Sequence, residues 1–523
     1  MAESSPSSPT ATQISGLISI PRRLHYPLSL LAGLLSVLAF APFGLWPVQF
    51  IALGVLFTIL QQQSSTPRSF LLGWSFGFGC FVFGVYWPYV SMHDYGDMAP
   101  PLAGLAVVLF ALLLGVFTGA GAALGNWFMR RCQSTPVLSL LAIYPATWLL
   151  GEWLRDWLFT GFPWLAAGYA HNASPLAGYA PILGVFGVGW IAALIAGMLA
   201  LIPITRRPLG FAAGLVVVGV LLKLIAWTHP QGQPISVRLL QGNVPQEEKF
   251  QNNHLSETLQ MYSTMLREKP ADLVATPETA IVEPPQVLPN DYLATLLAWS
   301  KASNSHLALG IVMSDAPYEY TNSLIDIAPD LKPDNLYRYD KHHLVPFGEF
   351  VPTGFHWFVA MLNIPLGDQT SGPLPQKPFA VKDQWILPNI CYEDLFGEDI
   401  ATNIDAAANE GRPQPTILLN VSNLAWFGQW LAVPQHLQIS QMRALETGRP
   451  ALRATNTGAT AVIAPDGKVL KELAPYTRGA LEATVQGYTG LTPYIVCGNT
   501  LVVALAMLSL IFAALAMRMK RPQ

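Results

Sequence analysis

Long stretches without a charged side chain fill the first 230 positions of the chain and return near its end. The stretch 24–60 holds no Asp, Glu, Lys or Arg, and it is long enough for two membrane-crossing helices of about 20 residues each, with a turn between Pro42 and Pro47. Further charge-free runs at 69–93, 98–129, 133–151, 157–205 and 208–222 bring the expected spans before residue 230 to seven, and 498–517 adds an eighth. Between them the pattern changes. Short apolar runs at 235–240, 273–276, 307–312, 385–390, 416–421, 451–454, 459–464 and 468–473 predict strands, with Pro465-Asp466-Gly467 as a hairpin turn, while 258–267 and 432–445 have helical periodicity. Strands interleaved with helices predict a layered α/β domain beside a multi-span α-helical membrane domain of about eight spans.

Composition agrees with the membrane reading. The chain is 52% hydrophobic and 12% charged, against about 25% charged for a soluble domain. A net charge of -3 and scattered basic residues exclude a nucleic-acid partner. Arg22, Arg23, Arg68, Arg130, Arg131, Arg206, Arg207, Arg518, Lys520 and Arg521 fall on one side of the expected spans, whereas His93, Asp94 and Asp97 fall on the other. The positive-inside rule then places both termini in the cytoplasm and the α/β domain outside it. The expected organisation is a disordered cytoplasmic tail over 1–23, rich in Ser, Thr and Pro, and a membrane domain over 24–230. An extracytoplasmic domain over 231–486 and a last span with a cytoplasmic end over 487–523 complete it. Ala39-Phe40-Ala41 imitates a signal-peptide cleavage site, but another apolar span follows at once.

Candidate chemistry centres on Leu387-Pro388-Asn389-Ile390-Cys391-Tyr392-Glu393-Asp394. Cys391 ends an apolar run and is followed by acids, and it is the only one of four cysteines in the polar part of the chain. As a nucleophile it needs a base and a cation or oxyanion donors; taken alone it also fits a small buried hydrophobe. Glu278, directly after a buried strand, is the candidate general base, or else a carboxylate at a helix N-terminus. Lys341, in Tyr339-Asp340-Lys341-His342-His343, could lower the thiol's pKa and stabilise an oxyanion, with Glu349 orienting it or binding an amine. A solvated lysine paired with Asp340 or Glu349 is the plainer reading. His342 and His343 lack a third ligand at any zinc spacing, so neither metal nor cofactor is expected.

The order Glu278, Lys341, Cys391, each after a strand, resembles the nitrilase (carbon-nitrogen hydrolase) superfamily. With seven spans before and one after, the chain resembles that superfamily's membrane-bound branch, the apolipoprotein N-acyltransferases. The words carrying the likeness are Gln241-Gly242-Asn243-Val244-Pro245-Gln246, Lys341 through Pro352, Asn389 through Asp394, Asn420-Val421-Ser422-Asn423, Ala425-Trp426-Phe427-Gly428, Arg443-Ala444-Leu445-Glu446 and Thr492-Pro493-Tyr494. The resemblance implies an αββα sandwich with Cys391 as nucleophile, Glu278 as base and Lys341 beside them. It also implies supporting roles for Glu349, Tyr392 and Glu393, for Trp164 on the membrane arm, and for Trp426 and Phe427 near an acyl channel. Interfacial anchoring is the alternative for these aromatics.

The implied activity is phospholipid-dependent N-acylation of the N-terminal diacylglyceryl-cysteine of apolipoproteins, by a ping-pong route through a Cys thioester. Phosphatidylethanolamine is the expected donor, the state a monomer, and the location the bacterial inner membrane with the catalytic domain facing the periplasm. A membrane-tethered amidase, or a transporter or receptor with an outer binding domain, are the other classes. Two positions depart from the family's words: Phe250 stands where Trp is common, and Leu424 where Asp is common.

Overall fold

The computed structural model describes residues 18–249, 252–317, 319–332, 335–354 and 368–518. Each apolar run of the first 230 residues is helical: α1 (His25–Ser36), α2 (Pro47–Gln61), α3 (Thr66–Gly84), α4 (Pro100–Arg131), α5 (Tyr144–Trp157), α6 (Ala180–Ala200) and α7 (Arg207–Leu222). Among the described residues, Pro100–Arg131, Pro136–Thr160 and Pro175–Ala200 are each long and apolar enough to cross a membrane. Thr66–Gly84 and Pro88–Tyr95 together make a fourth if this pair, bent by 59°, is one span. The remaining apolar helices are shorter. Proline bounds two of them: α1 gives way to a 3₁₀ turn, Val37–Ala39, before Pro42, and α2 begins at Pro47. Where α3 meets α4 the backbones nearly touch, because a Cβ on Gly77 would lie 2.8 Å from Gly115 Cα. Small residues of this kind let apolar helices associate without a hydrophobic driving force.

The remainder is built on two six-stranded mixed sheets. Its elements are β1 (Ile235–Gln241), α8 (Asn252–Arg267), β2 (Leu273–Ala275), α9 (Tyr292–Ser303), β3 (His306–Ala316), β4 (Glu319–Ile327), β5 (Tyr337–Asp340), β6 (Phe379–Val381), β7 (Gln384–Ile390), α10 (Gly397–Asn409), β8 (Ile417–Ser422), α11 (Ala432–Thr447), β9 (Ala451–Thr455), β10 (Ala461–Ile463), β11 (Val469–Glu472) and β12 (Gly479–Val485), followed by the apolar α12 (Thr500–Arg518). One sheet runs β12-β1-β2-β3-β4-β5 and the other β11-β10-β9-β8-β7-β6. β1, β2 and β3 are parallel, as are β7, β8 and β9.

Alternation along each strand decides the layers. Ile235, Val237 and Leu239 of β1 pack with Ile386 of β7 and Ile417 of β8 between the sheets, while Leu240 joins Leu259 and Leu266 of α8 and Leu296 of α9 on the outside. Ile400 and Ile404 of α10 and Val433 and Leu437 of α11 cover the second sheet. The result is the expected αββα sandwich. The pattern did not announce β4, β5, β6, β12, α9 or α10, because several of them are polar or amphipathic; β5, for example, is Tyr-Arg-Tyr-Asp.

Helix α11 belongs to both parts of the molecule. Val433, Leu437 and Ala444 face the sandwich, whereas Ile439, Met442 and Leu445 pack in the core of the apolar helices. Polar groups fix the second face: Trp164 Nε1 donates to Gln435 Oε1 at 2.7 Å, Ala41 N–H to Gln438 Oε1 at 3.1 Å, and Val185 N–H to Glu446 Oε1 at 2.7 Å. Glu446 also pairs with Arg443 at 3.1 Å, and neither has appreciable exposure. Glu446→Ala would strand a buried guanidinium and an N–H, a loss of roughly 3–5 kcal/mol for a broken buried pair. Thermal unfolding in detergent should show the variant melting well below Glu446→Gln, which keeps an acceptor for Val185.

Candidate active site

Glu278 follows the C-terminal end of β2 in one sheet, and Cys391 and Asn423 follow those of β7 and β8, parallel neighbours in the other, with the Asn423 N–H bonded to Glu278 across the two. Ligand sites of α/β sheets commonly lie beyond such strand ends. Lys341 comes from the end of β5, in the same sheet as β2.

Glu278 is buried, with both carboxylate oxygens engaged. Oε1 accepts from Lys341 Nζ at 3.0 Å and Asn322 Nδ2 at 2.8 Å, and Oε2 accepts from the Asn423 N–H at 2.8 Å. Burial alone would raise its pKa, but Lys341, Lys249 and these hydrogen bonds together hold it below the usual value. It is therefore ionised at neutral pH.

Lys341 is 1% exposed and reaches Glu349 Oε1 at 2.8 Å as well as Glu278. Burial works against its charge, and Glu278 and Glu349 more than offset that, so the ammonium persists. Glu349 is held in turn by Asn322 Nδ2 at 2.9 Å and by the Val345 N–H at 2.8 Å. One amide thus bridges two carboxylates.

Cys391 has φ of 51°, a left-handed conformation uncommon for a residue with a side chain, and it opens the 3₁₀ turn Cys391–Leu395. Its carbonyl is met by His436 Nε2 at 3.1 Å. Burial, and next the charge of Glu278, push its thiol pKa up, while Lys341 and the Asn423 N–H pull the other way. Cys391 thus rests as a neutral thiol near an ionised carboxylate. Such a set can carry acyl transfer: the base takes the thiol proton during attack, and the ammonium and N–H face the developing oxyanion.

The supporting residues lock this turn to its surroundings. Glu393 accepts from Tyr339 OH at 3.1 Å, His342 N–H at 2.7 Å, His343 N–H at 3.3 Å and Ile390 N–H at 2.6 Å, which ties the backbone after Lys341 to the backbone before Cys391. Tyr392 OH donates to Gly161 O at 2.6 Å, and His343 stacks on Phe396 at 3.4 Å while bonding Thr160 O at 2.6 Å. Gly161 has φ of 82°, and a Cβ there would lie 1.8 Å from Asp156 O, so only glycine lets the chain turn at this contact.

Trp164 is 2% exposed, with its ring 4.8 Å from Trp87 and 5.8 Å from His436, so it has no face at a membrane surface. Phe427 completes the aromatic group 4.4 Å from Trp87, and Trp426 lies 5.6 Å from Tyr95 with its carbonyl accepting from Ser91 Oγ at 2.7 Å. Leu424 is 1% exposed in the sandwich core. Phe250 lies outside the described residues. The sequence reading did not single out Asn322, Lys249 or His436. Asn423 lay inside a quoted word, but Asn322 sits on β4, whose polar first half gave no strand signal.

Comparison with known proteins follows these divisions. Residues 32–198 match the family model of the apolipoprotein N-acyltransferase N-terminal domain, and residues 236–494 match that of the carbon-nitrogen hydrolases. An apolipoprotein N-acyltransferase of Ralstonia nicotianae is 47% identical over 98% of this chain and 98% of its own, and one of Nitrosomonas europaea is 42% identical over 92% and 96%. Among solved structures, a CN-hydrolase superfamily protein from Xanthomonas campestris is 18% identical, covers 49% of this chain and 91% of its own, and has a TM-score of 0.37.

Proposed function

Since the chain belongs to the apolipoprotein N-acyltransferase family, a bacterial membrane acyltransferase acting on lipoproteins with phospholipid as acyl source, we propose that it works through a Cys391 thioester with Glu278 as base and Lys341 as oxyanion partner. In the first half-reaction Glu278 takes the Sγ proton as sulfur attacks the sn-1 ester carbonyl of phosphatidylethanolamine. Lys341 and the Asn423 N–H stabilise the oxyanion, the C–O bond breaks, and the leaving alkoxide takes the proton from Glu278. Lysophospholipid departs. In the second, the α-amine of a diacylglyceryl-cysteine attacks the thioester; with a pKa of about 8 a good fraction of it is already free base. Glu278 accepts its proton and returns it to the departing sulfur, leaving an N-acylated lipoprotein.

The observation that carries this reading is the convergence of Lys341, Glu278 and Asn423 on one another beside a thiol whose pKa responds to all three. The membrane helices fit the substrates. Extracting an acyl chain of about 16 carbons at about 0.8 kcal/mol per CH₂ would cost more than about 10 kcal/mol, so the site meets its lipids at the membrane surface. In this reading 24–230 and 487–523 hold eight crossings, residues 231–486 face the periplasm, both termini are cytoplasmic, and the enzyme is a monomer. Glu349, Tyr392, Glu393, Trp164, Trp426 and Phe427 shape the site without exchanging protons with substrate.

Intact-protein mass measurement after incubation with phosphatidylethanolamine should show one acyl adduct on the wild type and none on Cys391→Ala. An adduct surviving in the variant would refute the thioester. Release of free fatty acid without need of an amine acceptor would instead mark a hydrolase.

A further inference from the structure

We propose that Lys249 is a positioning residue of this reaction, the second cation that keeps Glu278 ionised beside Glu349; the proposal rests on the reading of Glu278 as base. Lys249 ends the short helix Gln246–Lys249 and is 4% exposed. Its Nζ donates to Glu278 O at 3.1 Å and to Thr279 Oγ1 at 2.7 Å, so it grips the loop that carries the base. Thr279 is itself left-handed, with φ of 44°.

Charge balance shows why a second cation is needed. Glu278 and Glu349 place their Oε1 atoms on the same Lys341 Nζ and the same Asn322 amide. Two buried carboxylates sharing one cation leave a net negative charge, and such pairs hold a proton between them. A proton held there would occupy the base. Lys249 adds a second positive charge that favours ionised Glu278, and moving the Cys391 proton to Glu278 leaves the summed charge of the site unchanged.

The titratable groups acting on Lys249 are Glu278 and Cys391, while Glu247 and Glu248 on its own helix stand nearer solvent. Burial, opposed by those two groups, brings Lys249 down to about 8. Its proton is therefore lost just above neutrality, and the rate of thioester formation should fall with it.

The experiment is single-turnover thioester formation by the full chain in detergent micelles with phosphatidylethanolamine and no acceptor, followed by mass from pH 6 to pH 9.5. The wild type should show an alkaline limb near pH 8. Lys249→Gln keeps donor groups but no charge; it should be slower by about 10-fold or more at pH 7 and lack that limb. Lys249→Arg keeps the charge without titrating in this range, and should stay within about 3-fold of wild type at pH 7 with the limb absent. A wild type with no such limb, a Lys249→Gln enzyme that retains it, or a Lys249→Arg enzyme as slow as Lys249→Gln would each overturn the proposal. If Lys249→Gln fails to fold, the wild-type and Lys249→Arg profiles decide. An adduct that persists in Cys391→Ala defeats the thioester reading itself; an adduct lost in Cys391→Ala with a pH limb indifferent to Lys249 defeats the Lys249 assignment alone.

Discussion

Lys341→Met should lower thioester formation by at least about 10³-fold, because one substitution removes two contributions. In the proposed mechanism the ammonium facing the oxyanion is gone, and loss of one such donor costs about 10²- to 10³-fold. The base is lost as well. Without Lys341, Glu278 loses the largest of the influences that hold its pKa down while Glu349 still faces it across the Asn322 amide that both accept from. General-base catalysis contributes about 10²- to 10⁴-fold, and part of that disappears with it. The variant should also be less stable, since breaking a buried pair leaves an uncompensated charge, at roughly 3–5 kcal/mol. The double variant Lys341→Met with Glu349→Gln separates these effects. Its melting temperature should recover most of the loss, because Lys249 still balances Glu278, while its rate should remain low for want of the oxyanion partner. Recovery of both would mean that Lys341 serves only the packing of the site.

The second large effect is expected at Glu393, where activity and stability should respond to pH in opposite directions. Burial, partly offset by the Ile390, His342 and His343 N–H groups, pushes this carboxyl from 4.5 up to about 7. Between those values the folded chain holds a proton that the unfolded chain has lost. The group's contribution to stability is therefore greatest in acid and falls as pH rises through that window. In the proposed mechanism activity needs the ionised form, which can accept from all four donors and so hold the backbone after Lys341 to that before Cys391. Acyl transfer should fall as pH drops below about 7. Glu393→Gln presents an amide to donors on every side and should be slower by about 100-fold at pH 8, the scale of an ångström-sized misplacement. Its profile should also be flat where the wild type falls. Glu446 is likewise pushed up to about 7, so the comparison must be made with the variant.

Much of this architecture could be read from the chain because it rests on local alternation. The charge-free runs became helices, and eight short apolar runs became strands β1, β2, β3, β7, β8, β9, β10 and β11, shifted at their ends by a residue or a few. Strands such as β4 were hidden because their apolar residues cluster at one end while the other bears Glu319, Tyr320, Thr321 and Asn322. Cys391, Glu278 and Lys341 were visible as reactive residue types at strand ends. Asn322, Lys249 and His436 were not, since their meaning comes from partners far apart in sequence, such as Glu278 with Glu349 for Asn322. Within the first apolar run α1 and α2 are shorter than the expected spans, at 12 and 15 residues, because composition marks where charge is absent, not where proline stops a turn.

Because α11 turns one face to the sheets and the other to the apolar helices, the chain cannot be divided into a soluble enzyme and a removable anchor. Cutting away the first 230 residues would expose Ile439, Met442 and Leu445 and leave Gln435, Gln438 and Glu446 facing water beside them. An excised fragment should aggregate, and the intact chain should unfold in one cooperative transition through that helix.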